Sequence, residues 1–123
     1  MSKILYCRHK KATIYKKPTT KSERLKEIIY GEIFIKLKRY KKFYYGYTKN
    51  DKYFGYIQRL NIQKNSTQAN YLINTGKAYL YKYNNLKSKT KNFLYFNSKV
   101  YISNISKQLS QSKIGWIKNK DLK

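Results

Sequence analysis

The sequence predicts an all-β chain folded as two small barrels in tandem, and three observations carry that expectation. Apolar and polar residues alternate with a period of two over short runs, turn-forming residues separate the runs, and the chain repeats itself. At an offset of 66, Ala12-Thr13-Ile14-Tyr15-Lys16 aligns with Ala78-Tyr79-Leu80-Tyr81-Lys82, and Lys21-Ser22 with Lys87-Ser88. At an offset of 60, Gly55-Tyr56-Ile57 aligns with Gly115-Trp116-Ile117, so the second copy is six residues shorter between its middle and its end. A repeat of this length is one supersecondary unit used twice.

The first copy opens on Ala12–Lys16 and a loop holding Pro18. Ser22 ahead of Leu25, Ile28 and Ile29, with Gly31 beyond, fits a short capped helix; the strand-prone Ile28-Ile29-Tyr30 favours instead an extended loop running into a strand. Glu32–Lys38 alternates, with Ile33, Ile35 and Leu37 on the face expected to be buried and Phe34, Lys36 and Lys38 on the other. Phe43–Thr48 and Tyr53–Ile57 are aromatic runs across a hairpin turn, Lys49-Asn50-Asp51-Lys52. Residues 63–70, polar and free of large apolar residues, read as a linker. Tyr71-Leu72-Ile73 leads into the second copy, and Lys99–Ser103 alternates again. The expected domains are residues 10–62 and 71–123, each of five short strands, packed on one another because a barrel of this size is marginal alone.

Composition bounds the function. The 123 residues carry 29 Lys+Arg against 5 Asp+Glu, a formal charge of +24. Lys, Asn, Ile and Tyr make up 64 residues, all with A/T-rich codons, and Lys outnumbers Arg 25 to 4. About half of the excess charge is therefore assigned to codon composition; the remainder gives nonspecific polyanion binding at low salt. No run reaches the roughly 18 apolar residues of a membrane span, and no signal peptide is recognisable, so no membrane association and a cytoplasmic location are expected. The single cysteine, Cys7, and single histidine, His9, lie in an N-terminal segment expected to fray and lack a third converging group, so neither a metal site nor a catalytic triad is expected, and no cofactor pattern is present.

The order and spacing of Ala12-x-x-Tyr15-x-x-Pro18, Leu25-x-Glu27-x-x-Tyr30-Gly31-Glu32-x-Phe34, Phe43-x-Tyr45-Gly46-Tyr47 and Asp51-x-Tyr53-x-Gly55-Tyr56-Ile57 resemble the first bacterial SH3-like domain of NlpC-type cell-wall cysteine peptidases. Within these, the dipeptidyl-peptidase VI group, which cleaves peptidoglycan stem peptides, is the more similar. The ending Gly115-Trp116-Ile117-Lys118-Asn119-Lys120-Asp121-Leu122 is similar to the second SH3-like domain of the same enzymes. The resemblance implies two SH3-like barrels without the catalytic domain that follows them in the family. Cys7, in Tyr6-Cys7-Arg8-His9, does not match the family's Asp-Cys-Ser-Gly nucleophile motif, so a catalytic role does not carry over and the chain is expected to be no enzyme.

In that family the first SH3-like domain walls the cleft and selects peptides with a free N-terminus. The resemblance implies that Glu32, Asp51, Tyr53 and Tyr56 are the ligand-binding residues, a carboxylate pairing with an ammonium and a Tyr hydroxyl orienting it. The implied partners are an NlpC-type catalytic domain or a muropeptide. The competing expectation is single-stranded nucleic acid, stacked on Tyr44, Tyr45, Tyr47, Tyr53 and Phe54 among Lys41, Lys42, Lys49 and Lys52.

Overall fold

The computed structural model describes residues 3–64 and 68–123. They are all-β, with short single turns of 3-10 helix, and divide into two compact units at residues 66 and 67. No helix among them is long and apolar enough to cross a membrane.

The first unit contains β1 (Ile4–Cys7), β2 (Lys11–Tyr15), β3 (Arg24–Ile29), β4 (Ile33–Tyr40), β5 (Phe43–Thr48), β6 (Phe54–Gln58), a 3-10 turn (Arg59–Asn61) and β7 (Ile62–Gln63). These strands form one antiparallel sheet in the order β3-β2-β6-β5-β4-β1-β7. Ile28 of the outermost β3 and Ile62 of the opposite edge β7 nevertheless share one core with Leu5, Cys7, Ala12, Ile14, Phe34 and Ile57. A flat sheet cannot bring both of its edges onto one cluster, so the sheet is coiled around its core. The turn after β3 completes the wrap: the amide of Cys7 donates to Glu32 O (2.9 Å), and that of Gly31 donates to Cys7 O (3.0 Å).

Two glycines allow the tight winding. Gly46 and Gly55 face each other across β5 and β6. A Cβ on Gly46 would lie 1.9 Å from Ile35 O, and one on Gly55 2.6 Å from Tyr15 O. Backbone therefore approaches backbone at both positions, where only glycine fits.

The second unit contains β8 (Tyr71–Leu72), β9 (Lys77–Tyr81), a 3-10 turn (Leu86–Ser88), β10 (Lys89–Tyr95), β11 (Lys99–Val100), β12 (Asn104–Ile105), β13 (Leu109–Ser112), β14 (Gly115–Lys118) and a last 3-10 turn (Asn119–Asp121). One sheet runs β10-β9-β14-β13-β12, and β8 pairs with β11. Ile73, Ala78, Leu80, Leu94, Val100, Leu109 and Ile117 are buried. β2 and β9, the start of the sequence repeat, show the same order of buried and exposed residues.

Residues 22–30 form no helix: β3 (Arg24–Ile29) follows the extended alternative that the β-branched pair Ile28-Ile29 favours. Other local expectations change. Glu32–Lys38 does not bury the expected face: Phe34 is fully buried, whereas Leu37, where the β4–β5 register shifts between Lys36 and Lys38, is 50% exposed. Neighbours on both sides decide this, because Phe34 pairs with the buried Leu5 of β1 and with the buried Thr48 of β5. A one-residue shift would move the whole set to the other face.

Among the described residues each unit has seven strands where five were expected, and Ile4–Cys7, in the segment expected to fray, forms strand β1. Ile4–Cys7 is sandwiched between β4 and β7. Of the expected linker, Gln63 belongs to β7 and Asn70 is tied into the second unit, its side chain accepting from Ile102 N (2.8 Å) and donating to Ile102 O (3.1 Å). Residues 65–67 of that linker lie outside the described residues.

Candidate ligand-binding edge of the first unit

Three of the four residues expected to bind ligand gather at one end of the first unit, around a lysine. Thr48 ends β5 with its side chain buried, and its hydroxyl holds the following turn in shape: Oγ1 donates to Asp51 Oδ1 (2.6 Å) and accepts from the Tyr53 amide (2.9 Å). Backbone bonds Lys52 N to Thr48 O (2.9 Å), Thr48 N to Tyr53 O (3.1 Å) and Lys49 N to Ile33 O (3.0 Å) complete the frame. A Ser or Thr bonding to backbone a few residues on is a standard way to fix a tight turn.

Lys26 reaches this turn from β3. Its ammonium lies 2.7 Å from Asp51 Oδ2 and 5.2 Å from the centre of the Tyr53 ring. The hydrogen bond to Asp51 holds the Lys26 pKa above its ordinary value, and the charge of Glu32 pushes the same way. Conversely, the hydrogen bonds from Lys26 and then Thr48 hold the Asp51 carboxyl below its ordinary value. Glu32 is half-buried just after Gly31, whose φ of 85° turns the chain from β3 into β4. The arrangement is an ammonium held by a carboxylate and an aromatic face, with a second carboxylate acting at longer range.

Tyr56 lies elsewhere. It points outward from β6, with its ring 5.0 Å from Tyr45 and 6.4 Å from Tyr40. Tyr47 and Phe54 continue this outer row at 4.9 Å. Tyr44 packs instead against the core, with Lys36 and Arg59 over its ring at 5.0 and 5.5 Å. The residues expected to stack nucleic-acid bases are thus split by strand parity, because successive side chains of β5 point to opposite faces.

The sequence reading missed Lys26 and Thr48. Nothing marks Lys26 among 25 lysines, since only the fold brings it beside Asp51. Thr48 was legible: Thr-x-x-Asp at the end of a strand is a turn signal.

Cys7 is 1% exposed; burial, with a smaller contribution from Glu32, pushes its thiol up to about 12 despite the contact of Sγ with His9 O (3.3 Å). A protonated thiol in the core is a small hydrophobe and no nucleophile. The His9 side chain is exposed.

In fold, the chain is similar to an NlpC/P60 family protein. That crystal structure, from Bacillus cereus, superposes with a TM-score of 0.75 over 98% of this chain at 12% sequence identity. The chain spans about half of it, covering 55% of its length. No family model matches the sequence, and no curated protein does.

Proposed function

We propose that the chain is a non-catalytic SH3-like module that works with an NlpC/P60-type peptidase domain and receives the free amino terminus of a peptidoglycan stem peptide at Glu32, Asp51 and Tyr53. The observation that carries this reading is the Lys26 ammonium, seated against the Asp51 carboxylate and the Tyr53 ring. The edge already holds a group of the kind that a peptide amino terminus would bring. Both side chains of the ion pair are more than a third exposed, and such pairs contribute only about 0.2–1 kcal/mol. A ligand can therefore displace Lys26 at small cost. The fold shared with an NlpC/P60 family protein supports the peptidase setting.

Titration calorimetry with a stem-peptide tripeptide and its N-acetylated form tests this. The free amine should bind and the acetylated form should not; Lys26→Ala should tighten binding several-fold, and Asp51→Asn should abolish it. Equal binding of both peptides, or indifference to Asp51→Asn, would overturn the proposal.

Single-stranded nucleic acid is a second reading, supported by the outward row of Tyr45, Tyr47, Phe54 and Tyr56 between turns that carry Lys41, Lys42, Lys49 and Lys52. It ranks second because these rings already pack on one another at about 5 Å, leaving fewer open faces for bases. Oligonucleotide binding that stays micromolar at about 0.3 M salt, where long-range attraction is screened, and falls on Tyr45→Ala would favour it.

A further inference from the structure

We propose that the second unit carries a groove that binds a phosphate group, separate from the edge described above. A groove of ≈ 380 Å³ is lined by Leu86, Lys107, Gln108, Lys118, Asn119 and Lys120. None of its three lysines lies within 4.0 Å of a carboxylate among the described residues. Asp121, on the same 3-10 turn, is not part of the lining.

The groove is held in shape by Asn119. Its amide donates to Gln108 O (2.8 Å), and its Nδ2 donates to Ser106 O (2.7 Å) and Lys107 O (3.2 Å). Its Oδ1 accepts from the Ser110 hydroxyl (2.5 Å), and Ser110 itself is 1% exposed. These bonds fasten the loop that carries Lys107 beside the turn that carries Lys118 and Lys120.

The first unit shows what makes the groove open. Arg59 stands where Asn119 stands in the second copy: its amide donates to Lys42 O (2.9 Å) and its Nη1 to Lys41 O (3.1 Å), and its guanidinium packs 5.5 Å over the Tyr44 ring. Lys41, Lys42 and Tyr44 are the repeat partners of Lys107, Gln108 and Ser110. The second unit keeps the backbone bonds but replaces the large Arg–Tyr pair by the small Asn–Ser pair, which vacates volume. In the same turn it carries Lys118 and Lys120 where the first copy has Gln58 and Leu60.

Three lysines line one opening; the Lys118 ammonium also lies 6.0 Å from the centre of the Tyr81 ring and the charges of Lys118 and Lys120 act on the nearby Asp121 carboxyl, so an entering anion adds to these contacts. Ammoniums are compact point charges that approach a tetrahedral oxyanion from separate directions, whereas a planar carboxylate is better matched by the fork of an arginine. Leu86, exposed at the wall, offers an apolar contact to the carbon skeleton that carries the phosphate. The ligand class is therefore an organic phosphate, borne either at the end of a small molecule or within a polymer.

Titration calorimetry of the whole chain at about 0.15 M salt, with ribose 5-phosphate as a terminal monoester and a dinucleoside phosphate as an internal diester, tests the proposal. At least one should bind, and preference for the monoester or the diester separates the two sources. Lys118→Gln with Lys120→Gln should weaken that binding about tenfold or more, the loss of charge-assisted hydrogen bonds. Asn119→Arg, which restores the first unit's residue, should also weaken it although it adds positive charge. Lys16→Gln with Lys38→Gln, on exposed positions of the first unit, should leave it unchanged. Circular dichroism melts identify any variant that fails to fold, in which case the lysine pair decides alone. No binding of either probe, equal loss in the Lys16/Lys38 control, or tighter binding by Asn119→Arg would each overturn the proposal in favour of general attraction to a basic chain.

Discussion

Cys7 and Ile73 hold the same place in the two units. Each amide donates at 2.9 Å to the carbonyl 25 residues on, Glu32 for Cys7 and Ser98 for Ile73, and each carbonyl accepts from the residue before that acceptor, Gly31 at 3.0 Å or Asn97 at 2.9 Å. Cys7 pairs with Ile62 of β7, and Ile73 bridges to Leu122. Both side chains are essentially inaccessible, and both Gly31 and Asn97 have positive φ, 85° and 71°. The chemistry of the only cysteine is thereby explained by packing: its counterpart is an isoleucine.

Cys7→Val should accordingly fold and retain stability within about 1.5 kcal/mol, as near-isosteric apolar exchanges do. It should also change the alkaline behaviour. The thiol titrates near 9.0 when unperturbed and at about 12 in the folded chain, so between these values the unfolded chain binds fewer protons. Stability then falls as pH rises, by up to about 1.4 kcal/mol per pH unit from this group. Denaturant melts between pH 8 and 11 should show a shallower decline for Cys7→Val than for the natural chain. Parallel curves would disprove the burial argument.

The Lys26–Asp51–Thr48 cluster predicts an acid effect of opposite sign. The folded Asp51 carboxyl titrates below its ordinary value, so its contribution is present above about pH 3.9 and is lost as pH falls through the folded pKa. Because the pair is exposed, Asp51→Asn should cost no more than about 1 kcal/mol at pH 7. Thr48→Val should cost more, about 1–3 kcal/mol, since it leaves the Tyr53 amide without its acceptor in a partly buried turn. Melts at pH 7 and pH 3 rank the two variants, and a larger loss for Asp51→Asn would refute the ordering.

Gly46→Ala and Gly55→Ala should each destabilise the first unit by about 3 kcal/mol or more, because the added Cβ meets backbone oxygen, and at Gly55 also the buried Ile14 side chain. Gly76→Ala provides the control, since its Cβ would meet nothing within 4 Å. Urea midpoints of the three variants are the measurement, and similar midpoints for all of them would contradict the close approach.

Ser98, the counterpart of Glu32, is fully buried, and its hydroxyl finds no hydrogen-bond partner among the described residues. Ser98→Ala should therefore be neutral or stabilise the second unit by about 1 kcal/mol, because it removes the desolvation cost of an unpaired polar group. A loss above about 1 kcal/mol in a thermal melt would show that the hydroxyl is bonded.

The period of two, the repeat and the Gly-aromatic-Ile endings determined from sequence alone that the chain is all-β and built twice, because a pleated strand writes its alternation into every second residue. The Tyr71-Leu72-Ile73 lead strand was legible as well, and aligning Leu5-Tyr6-Cys7 with it would have placed β1. Tertiary structure alone decided which face of β4 is buried, since the choice of Phe34 over Leu37 depends on β1 and β5 lying on either side of it. It also decided that Lys26, rather than another lysine, meets Asp51, and that Asn119 fastens the loop of Lys107 beside the turn that carries Lys120. These are contacts between segments far apart in the chain, and local periodicity carries no information about which distant strand becomes a neighbour.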